Sequence, residues 1–139
     1  QELLIQRRAF EKENHPGLWD VSCAGHVSSG DTSIRAAVRE LKEELGLIVQ
    51  AEELERLFTL ESHYVLNNGA YIDNELVDVY LLRKDININM LTLQADEVDS
   101  AKLIPVDTFR GVVSSKDASF VPYWKAYQKL LDYLDKAGG

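Results

Sequence analysis

The chain has 139 residues, of which 45% are hydrophobic and 27% charged, with eight glycines and three prolines. That composition fits one domain spanning residues 1–139 and excludes collagen, coiled-coil arrays and wholesale disorder. Fifteen Lys and Arg against 23 Asp and Glu leave a formal net charge of −8, so there is no basic footprint for a nucleic-acid polymer or an anionic membrane, and phosphate handling would run through a metal.

The lone Cys23 has no internal partner for a disulfide. No apolar run approaches the length of a membrane span or a signal-peptide core, so the expected setting is cytoplasmic. Residues 3–8 begin apolar and end in Arg7 and Arg8, the pattern of a strand running into a surface loop. Because the chain opens inside that strand, at least one further strand is expected before Gln1. Asn14-His15-Pro16-Gly17 is turn chemistry, and residues 18–24 read as a second, mostly buried strand.

From Asp31 the period becomes helical. Ile34, Ala37, Val38, Leu41 and Leu45 share a stripe, Asp31 or Thr32 can cap the start, and Gly46 can end it. Residues 56–66 and 75–83 read as strands joined through Asn67-Asn68-Gly69 as a hairpin, and residues 98–104 as a further strand. Pro105 starts a short helix. Phe120, Trp124, Tyr127, Leu131 and Leu134 then mark an amphipathic closing helix. Strands interleaved with helices predict a mixed β-sheet covered on both faces.

The polar face of the first helix carries Glu40, Glu43 and Glu44 within one turn of each other. Glu40 and Glu44 repel at i,i+4, and Glu43 and Glu44 load the negative end of the helix dipole, at up to ~1 kcal/mol per violation on an exposed surface. A bound divalent cation would reverse both signs. The plain alternative is a solvated acidic face in which Arg39 pairs with Glu43.

Spacing decides between them. From Gly25 the chain reads Gly, five residues, Asp31, seven residues, then Arg39-Glu40-Leu41-Lys42-Glu43-Glu44-Leu45-Gly46-Leu47. This resembles the Nudix box, G-x5-E-x7-R-E-U-x-E-E-x-G-U with U apolar; six fixed matches arise by chance on the order of 10⁻⁷ per start position. Asp31 stands where the pattern has Glu, keeping the charge and losing a methylene. The resemblance implies an α/β fold, the Nudix-type α/β/α sandwich. It also implies a Mg²⁺ or Mn²⁺ site and hydrolysis of a diphosphate linkage in a nucleoside diphosphate derivative or similar compound.

By that pattern Glu40 and Glu44 are direct metal ligands and Glu43 a ligand or water-orienting group. Arg39 orients a carboxylate. Glu43, Glu44 and the loop residue Glu97 are candidates for the general base. The stretches Gln6 to Lys12, Pro16 to Trp19 and Gly25-His26 resemble the branch containing isopentenyl diphosphate isomerase and its bacterial hydrolase relatives, which implies diphosphate contacts for Arg8 and Lys12 and a site role for His26. The isomerases' catalytic Cys aligns with Ala24, one position after Cys23, while Arg39, Glu40, Glu43 and Glu44 are all kept. Hydrolysis is therefore favoured over isomerisation, although Asp73-Asn74-Glu75 resembles the isomerases' paired acidic ligands. A non-catalytic nucleotide-binding module is the third reading, with Tyr64 and Tyr71 available to stack on a base. The partner is a small-molecule diphosphate, and the protein a monomer or homodimer.

Overall fold

Apolar residues on alternate positions of the first strand pack inward, and the structure builds outward from them. The structure is a computed structural model; it describes residues 1–21, 32–66 and 71–138, with side chains over 1–21, 32–60 and 78–136. Strand β1 (Glu2–Arg8) lies between β2 (Trp19–Asp20) and β5 (Val98–Pro105), antiparallel to both. A separate antiparallel pair joins β3 (Leu54–Leu66) to β4 (Tyr71–Leu82). Its register runs from Leu54 opposite Leu82 to Leu66 opposite Tyr71, as a hairpin requires. The turn at 67–70 lies outside the described residues. Parallel pairing among them is confined to one bridge between Trp19 and Phe120.

Among the described residues three α-helices cover the strands. Helix α1 (Ser33–Leu45) packs on β4, α2 (Val106–Ser115) on β1 and β5, and α3 (Trp124–Gly138) on β3, which is the expected α/β class. None of the described helices is long and apolar enough to cross a membrane. Ile5, Phe109, Tyr127 and Leu131 are the most buried members of the main apolar cluster, where the Phe109 ring meets Tyr127 edge-on at 5.2 Å.

Two expectations change in detail. Only Trp19 and Asp20 form strand in the described part of 18–24, because the backbone groups of Trp19 are taken by Ser119 and Val121. The closing helix begins at Trp124, not Phe120: Pro122 precedes it without an N–H, and Phe120 is buried from the turn before the helix. Pro105 ends β5 and caps α2.

Asp20 is buried, accepting hydrogen bonds at Oδ1 from the Val21 amide (2.7 Å) and the Tyr127 hydroxyl (3.0 Å). Burial pushes its carboxyl up to about 6, against the opposing pull of those bonds and of Arg8. A raised carboxyl favours the protonated fold, so this group's contribution is full below the unfolded value near 4 and is lost as pH rises to about 6, at a cost of about 3 kcal/mol. Asp20→Asn keeps the acceptor and cannot ionise. The difference in unfolding free energy between variant and wild type, measured by urea titration, should rise by about 2–3 kcal/mol from pH 4 to pH 7. A flat difference would show that Asp20 is not desolvated.

Candidate active site

Helix α1 starts where Thr32 accepts the Arg35 amide at its side chain, so Thr32 and not Asp31 is the N-cap. It ends at Gly46 with φ 70°, where the amide bonds back to Leu41 and Lys42 carbonyls. Gly46 does more than stop the helix. A Cβ there would lie 2.9 Å from the backbone nitrogen of Thr92, so only glycine admits the 92–97 loop. That loop is stitched to the helix by amides of Thr92 and Gln94 donating to the carbonyls of Leu45 and Glu44, each at 3.0 Å.

Glu44 is buried at this end of the helix. Its residue is only 5% exposed, whereas Glu43 is exposed and Glu40 half-buried. The sequence reading set all three on one exposed face; the structure instead buries Glu44 and leaves Glu43 in solvent. Among the described residues, Glu44 Oε2 is buried with no hydrogen-bond partner. Burial pushes the Glu44 carboxyl up to about 8, helped by its hydrogen bond and like charge with Glu40 and by the charge of Glu97, with Lys12 opposing. Among the described residues, no three His, Cys, Asp or Glu side chains stand close enough together to hold one ion.

Glu97 reaches this place from the loop preceding β5 and pairs with the ammonium of Lys12. The pairing rests on a backbone bond from the Ala9 amide to the Glu97 carbonyl at 3.0 Å. Arg39 approaches Glu40 at 3.7 Å, not Glu43. Arg8 donates from Nε to the Asn14 carbonyl at 3.0 Å, in the turn that β1 enters. Glu40 and Glu44 are therefore neighbours with Arg39 alongside, while the Lys12–Glu97 pair is near enough to act on Glu44 by its charges. His26, Ala24, Cys23 and Asp31 lie outside the described residues, as do the side chains of Tyr64, Tyr71 and Asp73 to Glu75.

One cluster was not foreseen. The Ser33 hydroxyl donates to Asp78 Oδ2 at 2.7 Å and lies 2.6 Å from the Tyr80 hydroxyl, while Thr59 donates to Asp78 Oδ1 at 2.6 Å. These bonds hold the Asp78 carboxyl below the usual range and tie the start of α1 to the β3–β4 pair. The signal available was Asp78 itself, a charge set among the apolar residues of a strand.

The NUDIX domain family model matches residues 1–124. The chain belongs to the Nudix family. Among relatives, this Nudix chain is 41% identical over 138 residues to Nudix hydrolase 3 of Arabidopsis thaliana, covering 96% of the chain and 18% of the relative. It is 31% identical over 134 residues to an isopentenyl-diphosphate Delta-isomerase of Pectobacterium atrosepticum, covering 96% and 71% respectively. The chain thus spans less than a fifth of the length of the Arabidopsis relative. Its fold matches the crystal structure of DR0079 from Deinococcus radiodurans with a TM-score of 0.68 at 22% identity, over 92% of this chain and 74% of that one. The Nudix fold and the resemblance to both hydrolases and isomerases agree with the sequence reading.

Proposed function

We propose that this Nudix domain is a Mg²⁺- or Mn²⁺-dependent pyrophosphohydrolase that cleaves a diphosphate linkage in a nucleoside diphosphate derivative or similar compound. The observation that carries the reading is Glu44: a buried carboxylate beside Glu40, with an oxygen lacking a partner among the described residues. An oxygen-only donor pair suits Mg²⁺, which takes one or two carboxylates and fills its remaining positions with water and substrate phosphates. Glu40 and Glu44 would hold the ion, which when bound neutralises phosphoryl oxygens and acidifies water.

The chain's own groups supply the rest. Arg39, 3.7 Å from Glu40, would keep that carboxylate in place; Glu97, paired with Lys12, would accept a proton from the attacking water, and Glu43 would serve as a second water-orienting carboxylate. Arg8, Lys12 and His26 would receive the diphosphate. In the balanced reaction, water oxygen bonds to phosphorus, the bridging P–O bond breaks with its electron pair on the leaving phosphate, and the proton passes to the carboxylate. The acidic charge and lone thiol support a cytosolic setting and a small-molecule partner over a nucleic-acid polymer.

Isomerisation is the second reading, favoured by the isomerase relatives. Against it stand the retained Arg39, Glu40, Glu43 and Glu44 and the methyl side chain at Ala24, which has no proton to give.

Metal linkage tests the site without any substrate. Mg²⁺ or Mn²⁺ at a hundred times its Kd should stabilise the fold by about 2.7 kcal/mol and raise Tm accordingly. In Glu40→Gln/Glu44→Gln the shift should disappear. A double variant that keeps the full shift would place the ion elsewhere.

A further inference from the structure

Helix α1 carries Ser33, Ala37, Glu40 and Glu44 at i, i+4, i+7 and i+11, which places them along one stripe of its surface. Ser33 opens that stripe, and the two carboxylates proposed to hold the metal close it. At 1.5 Å per residue, about 10 Å of helix separates Ser33 from Glu40 and about 16 Å separates it from Glu44.

Asp78 divides its two oxygens between sheet and helix. Oδ1 accepts from the Thr59 hydroxyl at 2.6 Å and from the Arg56 guanidinium at 3.2 Å, both on β3. Oδ2 accepts from the Ser33 hydroxyl at 2.7 Å. Because that hydroxyl has one hydrogen and gives it to Asp78, the Tyr80 hydroxyl 2.6 Å away donates to Ser33 Oγ and keeps it turned toward the carboxylate. Starting the helix does not require this bond, since Thr32 caps it by accepting the Arg35 amide. What the bond adds is a charge-assisted tether attached to the side of the helix.

The other end is held differently. Amides of Thr92 and Gln94 reach the carbonyls of Leu45 and Glu44, backbone groups near the helix axis that fix position along it but resist rotation weakly. A rotation of about 20° at a side-chain radius of about 5–6 Å would carry a carboxylate about 2 Å. A misplacement of only about 1 Å can cost a hundredfold in rate. We propose that Asp78, acting through Ser33, is a positioning residue for the metal site: the tether fixes the rotation of α1 and so the direction in which Glu40 and Glu44 point. Its consequence for metal binding rests on the proposed hydrolase reading, whereas the tether itself is a matter of hydrogen bonds between described residues.

Ser33→Ala removes the helix side of the tether while leaving Thr59 and Arg56 on Asp78 and Thr32 at the cap. Without metal, amide exchange across residues 36–45 should quicken by about tenfold, the effect of losing one bond to a charged group. In a calorimetric titration with Mn²⁺, Kd should rise by about tenfold, as when a group that orients a metal ligand is lost. Ser33→Thr keeps a hydroxyl and should restore both values. Val113→Ala, which removes buried methyls beneath α2, should leave the Mn²⁺ Kd unchanged, so general loss of stability is separated from loss of position. Wild-type exchange and Kd in Ser33→Ala, faster exchange confined to the first turn, or equal weakening by Val113→Ala would each overturn the proposal. Absence of Mn²⁺ binding by the wild type would overturn the metal reading instead, and the exchange result would still decide the tether.

Discussion

Glu44→Gln is expected to lower turnover of a diphosphate substrate by about three orders of magnitude, near 4 kcal/mol in activation free energy, without unfolding the protein. Glutamine keeps the shape and loses the negative charge that a cation needs. The fold has no use for that charge: the carboxyl is buried, pushed up to about 8, and repelled by Glu40 and Glu97. Stability without metal should therefore stay level or rise slightly, by the same logic that makes an uncompensated buried charge costly. Initial rates at saturating Mg²⁺, with urea unfolding in parallel, separate the two effects. Activity within a few fold of wild type would remove Glu44 from the site.

Phe109→Ala should do the reverse, costing about 3–5 kcal/mol of stability through the cavity it leaves. Phe109 is fully buried, edge-on to Tyr127 and 6.2 Å from Phe120 between ring centres, so its loss unlocks α2 from α3. That is a large share of the roughly 5–15 kcal/mol that holds a typical domain. Urea titration should show a lower midpoint with an unchanged slope, and a cost below about 1 kcal/mol would mean that neighbouring rings collapse into the space.

The contrast between these two residues shows what a sequence exposes. Helix α1 was legible because its apolar stripe, its Thr32 cap and Gly46 all act within a few residues of each other. The β3–β4 pair was legible for the same reason, since alternation and a turn signal set its register locally. Burial of Glu44 was not. It is set by tertiary packing, and the contacts at that helix end come from about fifty residues further on, where the Thr92 and Gln94 amides bond to the Leu45 and Glu44 carbonyls. The Lys12–Glu97 pair and the Ser33–Asp78 cluster likewise join residues 85 and 45 positions apart, distances over which spacing patterns carry no information. Helix periodicity placed Glu43 beside Glu44, but it could not tell which of the two would be buried.

The resemblance at Arg39, Glu40, Glu43 and Glu44 was legible from spacing alone, because a helix sets i and i+4 residues on one side whatever the rest of the chain does. Family membership, shown over residues 1–124, agrees with it.

A panel of nucleoside diphosphate derivatives and isopentenyl diphosphate, incubated with Mg²⁺ and followed by both phosphate release and intact-substrate mass, measures the central claim most directly. Hydrolysis predicts at least one substrate whose mass gains the elements of water on cleavage, with release dependent on the ion and lost in Glu44→Gln. Isopentenyl diphosphate should give no dimethylallyl product. Isomerised product at unchanged mass, abolished by Cys23→Ser, would contradict the account, as would binding across the panel with no mass change at all.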